Sequence, residues 1–237
     1  MSIALDQIKQ LREMTGVSMM ACKKALEEAN GDIEKAVELL RKRGEAKSAS
    51  LATRSAGEGS IFVKETSGKA SMVSLSCETD FVARGDDFVN LGKDVVDAEF
   101  SGNVSDVHSK IVELSGKLGE KMEIREHGTL EAANVGFYIH SNKKIGVLVG
   151  LSGGNSELVR DIAMHIAAMN PLCLRSEEVD GSLIEKEKEI WKDQLLKEGK
   201  PEAMLDKIMG GKEKKFREEK ALLTQAFVKD PEKTVQN

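Results

Sequence analysis

Ser71-Met72-Val73-Ser74-Leu75-Ser76-Cys77-Glu78-Thr79-Asp80-Phe81-Val82-Ala83-Arg84-Gly85-Asp86-Asp87-Phe88 is the stretch whose reading decides the fold. Its first part alternates as a half-buried strand does, with Met72, Val73, Leu75 and Cys77 interleaved with serines. After it, Phe88, Leu91, Val95 and Ala98 recur at helical spacing. Thr79-Asp80 is therefore a strand-to-helix junction, with Thr79 expected as N-cap and Asp80 complementing the dipole of the first turn. Phe81 and Val82 sit in that junction between a carboxylate and Arg84, so a large apolar ring is expected at the surface. An apolar residue beside an N-cap also commonly staples its own helix to the core, and the stretch by itself leaves the two readings level.

Working outward, strand-like runs at 60–66 and 70–78 flank Ser67-Gly68-Lys69 and predict a hairpin. Downstream, Ser105 is expected to cap a helix carrying Val107, Ile111, Leu114 and Leu118 and ended by Gly119. Residues 121–125 then read as a short strand. From Val135 the same plan recurs: runs at 135–140 and 145–151 around Ser141-Asn142-Lys143-Lys144, then Gly153-Gly154-Asn155-Ser156 leading into a helix with Leu158, Ile162, Ile166 and Met169, stopped by Pro171. The first copy ends in a third strand; the second shows none before the chain stops.

Ahead of the hairpin, Ile3, Leu5, Ile8 and Leu11 form one helical stripe, stopped by Thr15-Gly16. Ser18 is expected to cap a second helix bearing Met19, Cys22, Leu26 and Ala29, and Asp32 a third bearing Ile33, Ala36, Val37 and Leu40. Met20 is offset from Met19: it fills a gap in a small core, or it is a contact for a partner. Residues 45–59, rich in Ala, Ser and Gly, are the linker candidate. Between 182 and 220 the chain turns Lys/Glu-rich, with Ile184, Trp191 and Leu195 on one arm and Met204, Ile208 and Phe216 on the other. Glu198-Gly199-Lys200-Pro201 between the arms predicts an antiparallel helical hairpin, a coiled coil that either dimerises or buttresses the core. Residues 221–237 start an apolar segment and fade into a polar tail. The expected fold is α+β: a three-helix module with linker over 1–54, core copies over 55–133 and 134–180, the hairpin over 181–220, and a return toward the second copy over 221–237.

Composition narrows the function. A net charge of −5 over 237 residues argues against a direct nucleic-acid binder. No apolar run approaches the roughly 20 residues that cross a membrane, and Asp6 is out of place in a signal peptide. Cys22, Cys77 and Cys173, three and far apart, read as thiols of a reducing, cytoplasmic compartment. No phosphate-binding loop motif occurs, and Gly153-Gly154 reads as a hairpin exit. His108, His127, His140 and His165 lie at no metal-ligand spacing, and His165 reads as a satisfied helix residue. Asp86-Asp87 read first as caps; a hydrolase using either with His127 would need a pocket joining them. No nucleophile–base set assembles, so no enzyme, cofactor or metal site is expected.

Thr79-Asp80-Phe81-Val82-Ala83-Arg84 closely resembles the T-D-F-V-A-[KR] signature of the bacterial elongation factor Ts family. Thr15-Gly16-Val17-Ser18-Met19-Met20-Ala21-Cys22-Lys23-Lys24-Ala25-Leu26 and Asn30-Gly31-Asp32-Ile33-Glu34-Lys35-Ala36 resemble its N-terminal signature. Ile145-Gly146-Val147-Leu148-Val149 and His165-Ile166-Ala167-Ala168 are similar to its second core copy. The resemblance implies a ubiquitin-associated-like N-terminal module, a duplicated α+β core with a coiled-coil insertion, and guanine-nucleotide exchange on elongation factor Tu. It also implies that Phe81 with Asp80, completed by Thr79 and Val82, is a wedge near the partner's Mg²⁺ and phosphate site. Met19, Met20 and Lys23 would meet the partner's nucleotide domain, and Leu118, Gly119 and His140 would make further contacts. Family members usually continue past 233–235 with another strand and a helix, so either a fragment or a core completed otherwise is expected. The rival reading is a non-catalytic adaptor that holds a ubiquitin-like or nascent-chain partner on its N-terminal module.

Overall fold

The computed structural model describes residues 4–15, 19–51 and 53–237, without the side chains of 45–50, 106, 202 and 203. Helices α1 (Leu5–Thr15), α2 (Met19–Glu28) and α3 (Ile33–Leu51) enclose Leu11, Cys22, Ala25, Leu26 and Ala36, all without exposed surface. Asn30 and Gly31, both at positive φ, turn the chain into Asp32, whose carboxylate accepts from the Lys35 amide and caps α3. The expected cap Ser18 lies outside the described residues. The linker expectation needs correction: α3 continues through it to the buried Leu51, because Glu45-Ala46-Lys47 favours helix and the helix has a surface to lie on. That surface is α6 (below), where Gly44 meets Gly116 so closely that a Cβ at 116 would stand 2.5 Å from the Gly44 backbone.

The first core copy runs β1 (Glu58–Thr66), β2 (Lys69–Cys77), α4 (Asp80–Arg84), α5 (Asp86–Phe100), a 3₁₀ turn, α6 (His108–Leu118) and β3 (Glu123–Glu131). The sheet is antiparallel in the order β1-β2-β3, with β2 central. Val73, Leu75 and Cys77 point to one face and meet Phe88, Leu91, Val95 and Val96 of α5, with Ile111 and Met122 closing the core. Phe62 joins this core because Gly92 leaves room: a Cβ there would lie 2.2 Å from the ring. Two expectations are revised. Strand β3 extends to Glu131, far beyond 125, since the polar Thr129 earns its place through the Ser71 hydroxyl at 2.6 Å and the Glu99 carboxylate at 3.1 Å. Ser105 sits inside the 3₁₀ turn and caps nothing; α6 starts at His108.

The second copy repeats the plan with β4 (Asn134–Ile139), β5 (Gly146–Leu151) and α7 (Ser156–Met169), which buries Val159 and Ala163 on the paired strands. Its sheet has two strands. The copies pack through the outer face of the first sheet, where Ile61 and Met72 close on Gly146 and the Ile61 amide donates to the Lys143 carbonyl at 2.9 Å. Helices α8 (Gly181–Lys197) and α9 (Glu202–Lys220) form the hairpin, with Ile184 and Leu195 buried and the Trp191 and Phe216 rings in edge contact at 5.6 Å. Met204, expected on the seam, is half exposed in the first turn of α9. The tail is a small hairpin, β6 (Ala226–Phe227) and β7 (Asp230–Thr234), where fading polar chain was expected. It is fastened to the buried His165, whose Nδ1 accepts from the Val228 amide, so that Nε2 carries the proton shared with Gln225 Oε1 at 2.9 Å. Among the described residues no helix is long and apolar enough to cross a membrane.

Gly116→Val is expected to force α3 off α6 and to cost about 1–3 kcal/mol in chemical denaturation, because the atom it meets is backbone.

Candidate functional site

Past Cys77 the chain leaves β2, turns through Glu78 and Thr79, and makes α4, a single turn. Thr79 is extended, and its Oγ1 accepts from the Val82 amide at 3.4 Å, the expected cap. The turn closes where the Gly85 amide donates to the Val82 carbonyl at 2.9 Å. Gly85 is itself extended (φ −70°, ψ 144°) and serves as N-cap of α5, so Asp86 and Asp87 are first-turn residues, not caps.

This break decides where the aromatic rings go. Phe81 and Phe88 are two helical turns apart, and an unbroken helix would set them on one face within about 20°. Extended Gly85 resets the direction instead. Phe88 has no exposed surface, whereas Phe81 is 85 % exposed. Val82 is half-buried against the core and Ala83 is buried, so the turn is seated by its small residues while the large one stands outside. Asp80 pairs with Arg84 at 3.0 Å along the same turn.

The remaining expected site residues belong to α2, to the end of α6 and to the β4–β5 turn. Met20 is 75 % exposed at the start of α2, beside half-buried Met19, and Lys23 pairs with Glu27 on the surface at 3.8 Å. Ala21, one residue from Met20, lines a cleft of about 520 Å³ with Gly116 and Lys117 at the end of α6. Leu118, partly exposed, and Gly119, left-handed at φ 78°, finish that helix. Asp80, Ala83 and Arg84, flanking Phe81 in the chain, share a cleft of about 670 Å³ with Ile139 and Lys144 around the β4–β5 turn. His140 stands exposed at the start of that turn, its Nδ1 3.1 Å from the Tyr138 hydroxyl. The hydrolase option finds no support in the geometry. Asp87 pairs with Lys117, and His127 with Glu99 at the opposite end of α5, about 18 Å along the axis at 1.5 Å per residue.

Sequence reasoning missed the residues that hold this turn. Glu120 Oε2 accepts from the amides of Glu78 (3.1 Å) and Thr79 (3.0 Å), and its Oε1 accepts from the Thr79 hydroxyl (2.6 Å). Glu78 Oε1 accepts in return from the Lys121 amide at 2.7 Å, and Arg54 stands 3.5 Å from its other oxygen. No local pattern announces a partnership across some forty positions; the only hint is a glutamate directly after a helix-ending glycine. Cys77, fully buried, donates its thiol to the Thr79 carbonyl at 3.2 Å. Burial, then the charges of Glu120, Glu58 and Glu78, push that thiol up to about 11.

A family model described as Elongation factor TS matches residues 78–237, and one described as UBA-like domain matches residues 6–45. The elongation factor Ts of Hydrogenobaculum sp. (strain Y04AAS1) is 44% identical over 100% of this chain and 93% of its own length. Those of Idiomarina loihiensis and Hahella chejuensis are 43% and 45% identical, over 99% and 98% of this chain and 85% and 84% of their own lengths. A UBA-like module ahead of a duplicated α+β core with these relatives is a translation elongation factor. The chain belongs to the elongation factor Ts family.

The neutral Cys77 thiol gives a test of the junction's order. Its folded value lies above the ordinary 9.0, so the stability tied to it is complete below pH 9 and is lost as pH rises toward 11. At pH 8, iodoacetamide should label Cys77 about a hundredfold more slowly in the folded protein than after denaturation, followed by mass spectrometry of the peptide.

Proposed function

We propose that this chain is a guanine-nucleotide exchange factor that promotes GDP release from elongation factor Tu, acting in the cytoplasm and performing no chemistry of its own. The observation that carries the reading is Phe81: a large apolar ring almost wholly in water, on a turn otherwise seated in the core, inside the family's signature hexapeptide. Exposing such a ring wastes the roughly 2 kcal/mol or more that burial would contribute, and a protein surface that accepts it recovers that amount.

Exchange follows from linkage. A factor that binds the nucleotide-free partner more tightly than the GDP-bound partner weakens GDP binding by the same factor. Each tenfold weakening takes about 1.4 kcal/mol of contact made only in the emptied state. Phe81, backed by Thr79, Asp80 and Val82, enters the packing around the partner's Mg²⁺ and phosphate site. The loss of Mg²⁺ unbalances the diphosphate charge and GDP departs. Met19, Met20 and Lys23, with Leu118, Gly119 and His140, hold the partner while its site is empty; the exposure of Met20, Leu118 and His140 supports this division of work.

The test is stopped-flow release of fluorescent GDP from loaded elongation factor Tu. Phe81→Ala should slow release at saturating factor by about tenfold or more while shifting folding stability by less than about 0.5 kcal/mol, since the ring touches little of its own protein. Unchanged release at equal binding overturns the wedge. Binding of a partner by the N-terminal module with no acceleration of release by the unmodified chain favours the adaptor reading.

A further inference from the structure

We propose that Glu120 is a positioning residue for exchange: its carboxylate locks the backbone ahead of Phe81 and joins that turn to the end of α6, so that the ring meets the partner already aimed. The inference rests on the exchange reading above and names a residue outside the signature hexapeptide.

The need for a lock comes from the local structure. Helix α4 is one turn long, too short to hold itself together, because a first helical turn fixes many dihedrals for few bonds. Its own cap is weak at 3.4 Å. The β2–β3 ladder, which would otherwise organise the approach, ends at Ser76 and Glu123. Beyond that pair the amides of Glu78, Thr79 and Lys121 have no strand to donate to, and two side-chain carboxylates take the carbonyls' place. Glu120 takes both amides on the wedge side and the Thr79 hydroxyl; Glu78 takes the amide on the other. Bonds of this kind, from neutral donors to an ionised acceptor, are stronger than the ladder bonds they continue.

The geometry is more than fold maintenance. The core of this copy is closed by Phe88 and its neighbours without the help of Glu120, which is itself only half-buried. What Glu120 does hold lies immediately before Phe81 on one side and immediately after Leu118-Gly119 on the other. Its main chain is tied down in turn, its carbonyl accepting from the Ser115 hydroxyl at 2.7 Å. Two surface positions separated by about forty residues thus become one rigid body. A rigid presentation removes ordering that binding would otherwise have to impose, so the gain falls on engagement of the ring.

The test compares Glu120→Ala, Glu120→Gln and Phe81→Ala with the unmodified protein, using fluorescent GDP release from loaded elongation factor Tu and native-state hydrogen exchange of the amides of residues 78–83. Glu120→Ala is expected to lower the release rate at saturating factor by about five- to tenfold and to speed exchange of those amides, leaving the amides of α5 protected. Glu120→Gln, which keeps the shape and one acceptor oxygen for the two amides but puts a donating NH2 opposite the Thr79 hydroxyl, should recover part of both. Combining Glu120→Ala with Phe81→Ala should add little to Phe81→Ala alone, because the lock acts through the ring. Faster amide exchange with unchanged release overturns the positioning role and leaves the exchange function standing. Unaltered protection of residues 78–83 in Glu120→Ala overturns the lock itself. If the unmodified chain fails to accelerate release, the functional reading falls, and the protection pattern alone decides whether Glu120 holds the turn.

Discussion

The burial of one face of α5 against β2 is the contact on which everything else hangs. Phe88, Leu91, Val95 and Val96 seat on Val73, Leu75 and Cys77, and the strand that carries those residues is the central one of its sheet. Phe88 fills that face together with Phe62, the two ring centroids 6.2 Å apart. An uninterrupted helix would have brought both phenylalanines to the same side and made them compete. The extended backbone at Gly85 separates them, committing one to the interior and the other to water.

Duplication makes the point by contrast. The second copy passes from β5 through left-handed Gly154 to Asn155, whose side chain caps α7 directly, with no intervening turn and no displayed ring. It also lacks the third strand, and its outer elements are instead tied to the C-terminal hairpin through His165, Gln225 and Val228. The same strand–strand–helix plan thus supports two different outcomes. In the first copy the junction is elaborated and fastened by carboxylates; in the second it is economical, and the polar bonds lie beneath the helix.

Polar groups in the first copy are used where the regular ladder runs out. Thr129 and Ser71 share a bond under the end of α5, Glu99 joins them, and at the opposite end of the sheet the Glu120 carboxylate accepts from the Glu78 amide while the Glu78 carboxylate accepts from the Lys121 amide. A strand end left without such partners would leave amides open to water and free to fray. Here the frayed end would be the one that carries Phe81, which links the stability of a turn to the placement of an exposed ring.

Much of this was legible in the residues alone. The alternation of 71–77, the helical spacing after Phe88, the Thr79 cap, both hairpins and the glycine-to-proline break between α8 and α9 are short-range patterns, and the chain obeys them because strand and helix periodicities are local properties. The motifs also carried the family. What neighbouring residues do not encode was decided in three dimensions. Helix α3 outran its expected end because it found α6 to lie on, β3 lengthened because β2 offered it a ladder, and Glu120 became a partner of Thr79 because folding brought the two together. Even the facing of Phe81, which the sequence left as an open choice, was settled in three dimensions: the extended backbone at Gly85 ends α4 before α5 begins, so Phe88 goes to the core and Phe81 to water.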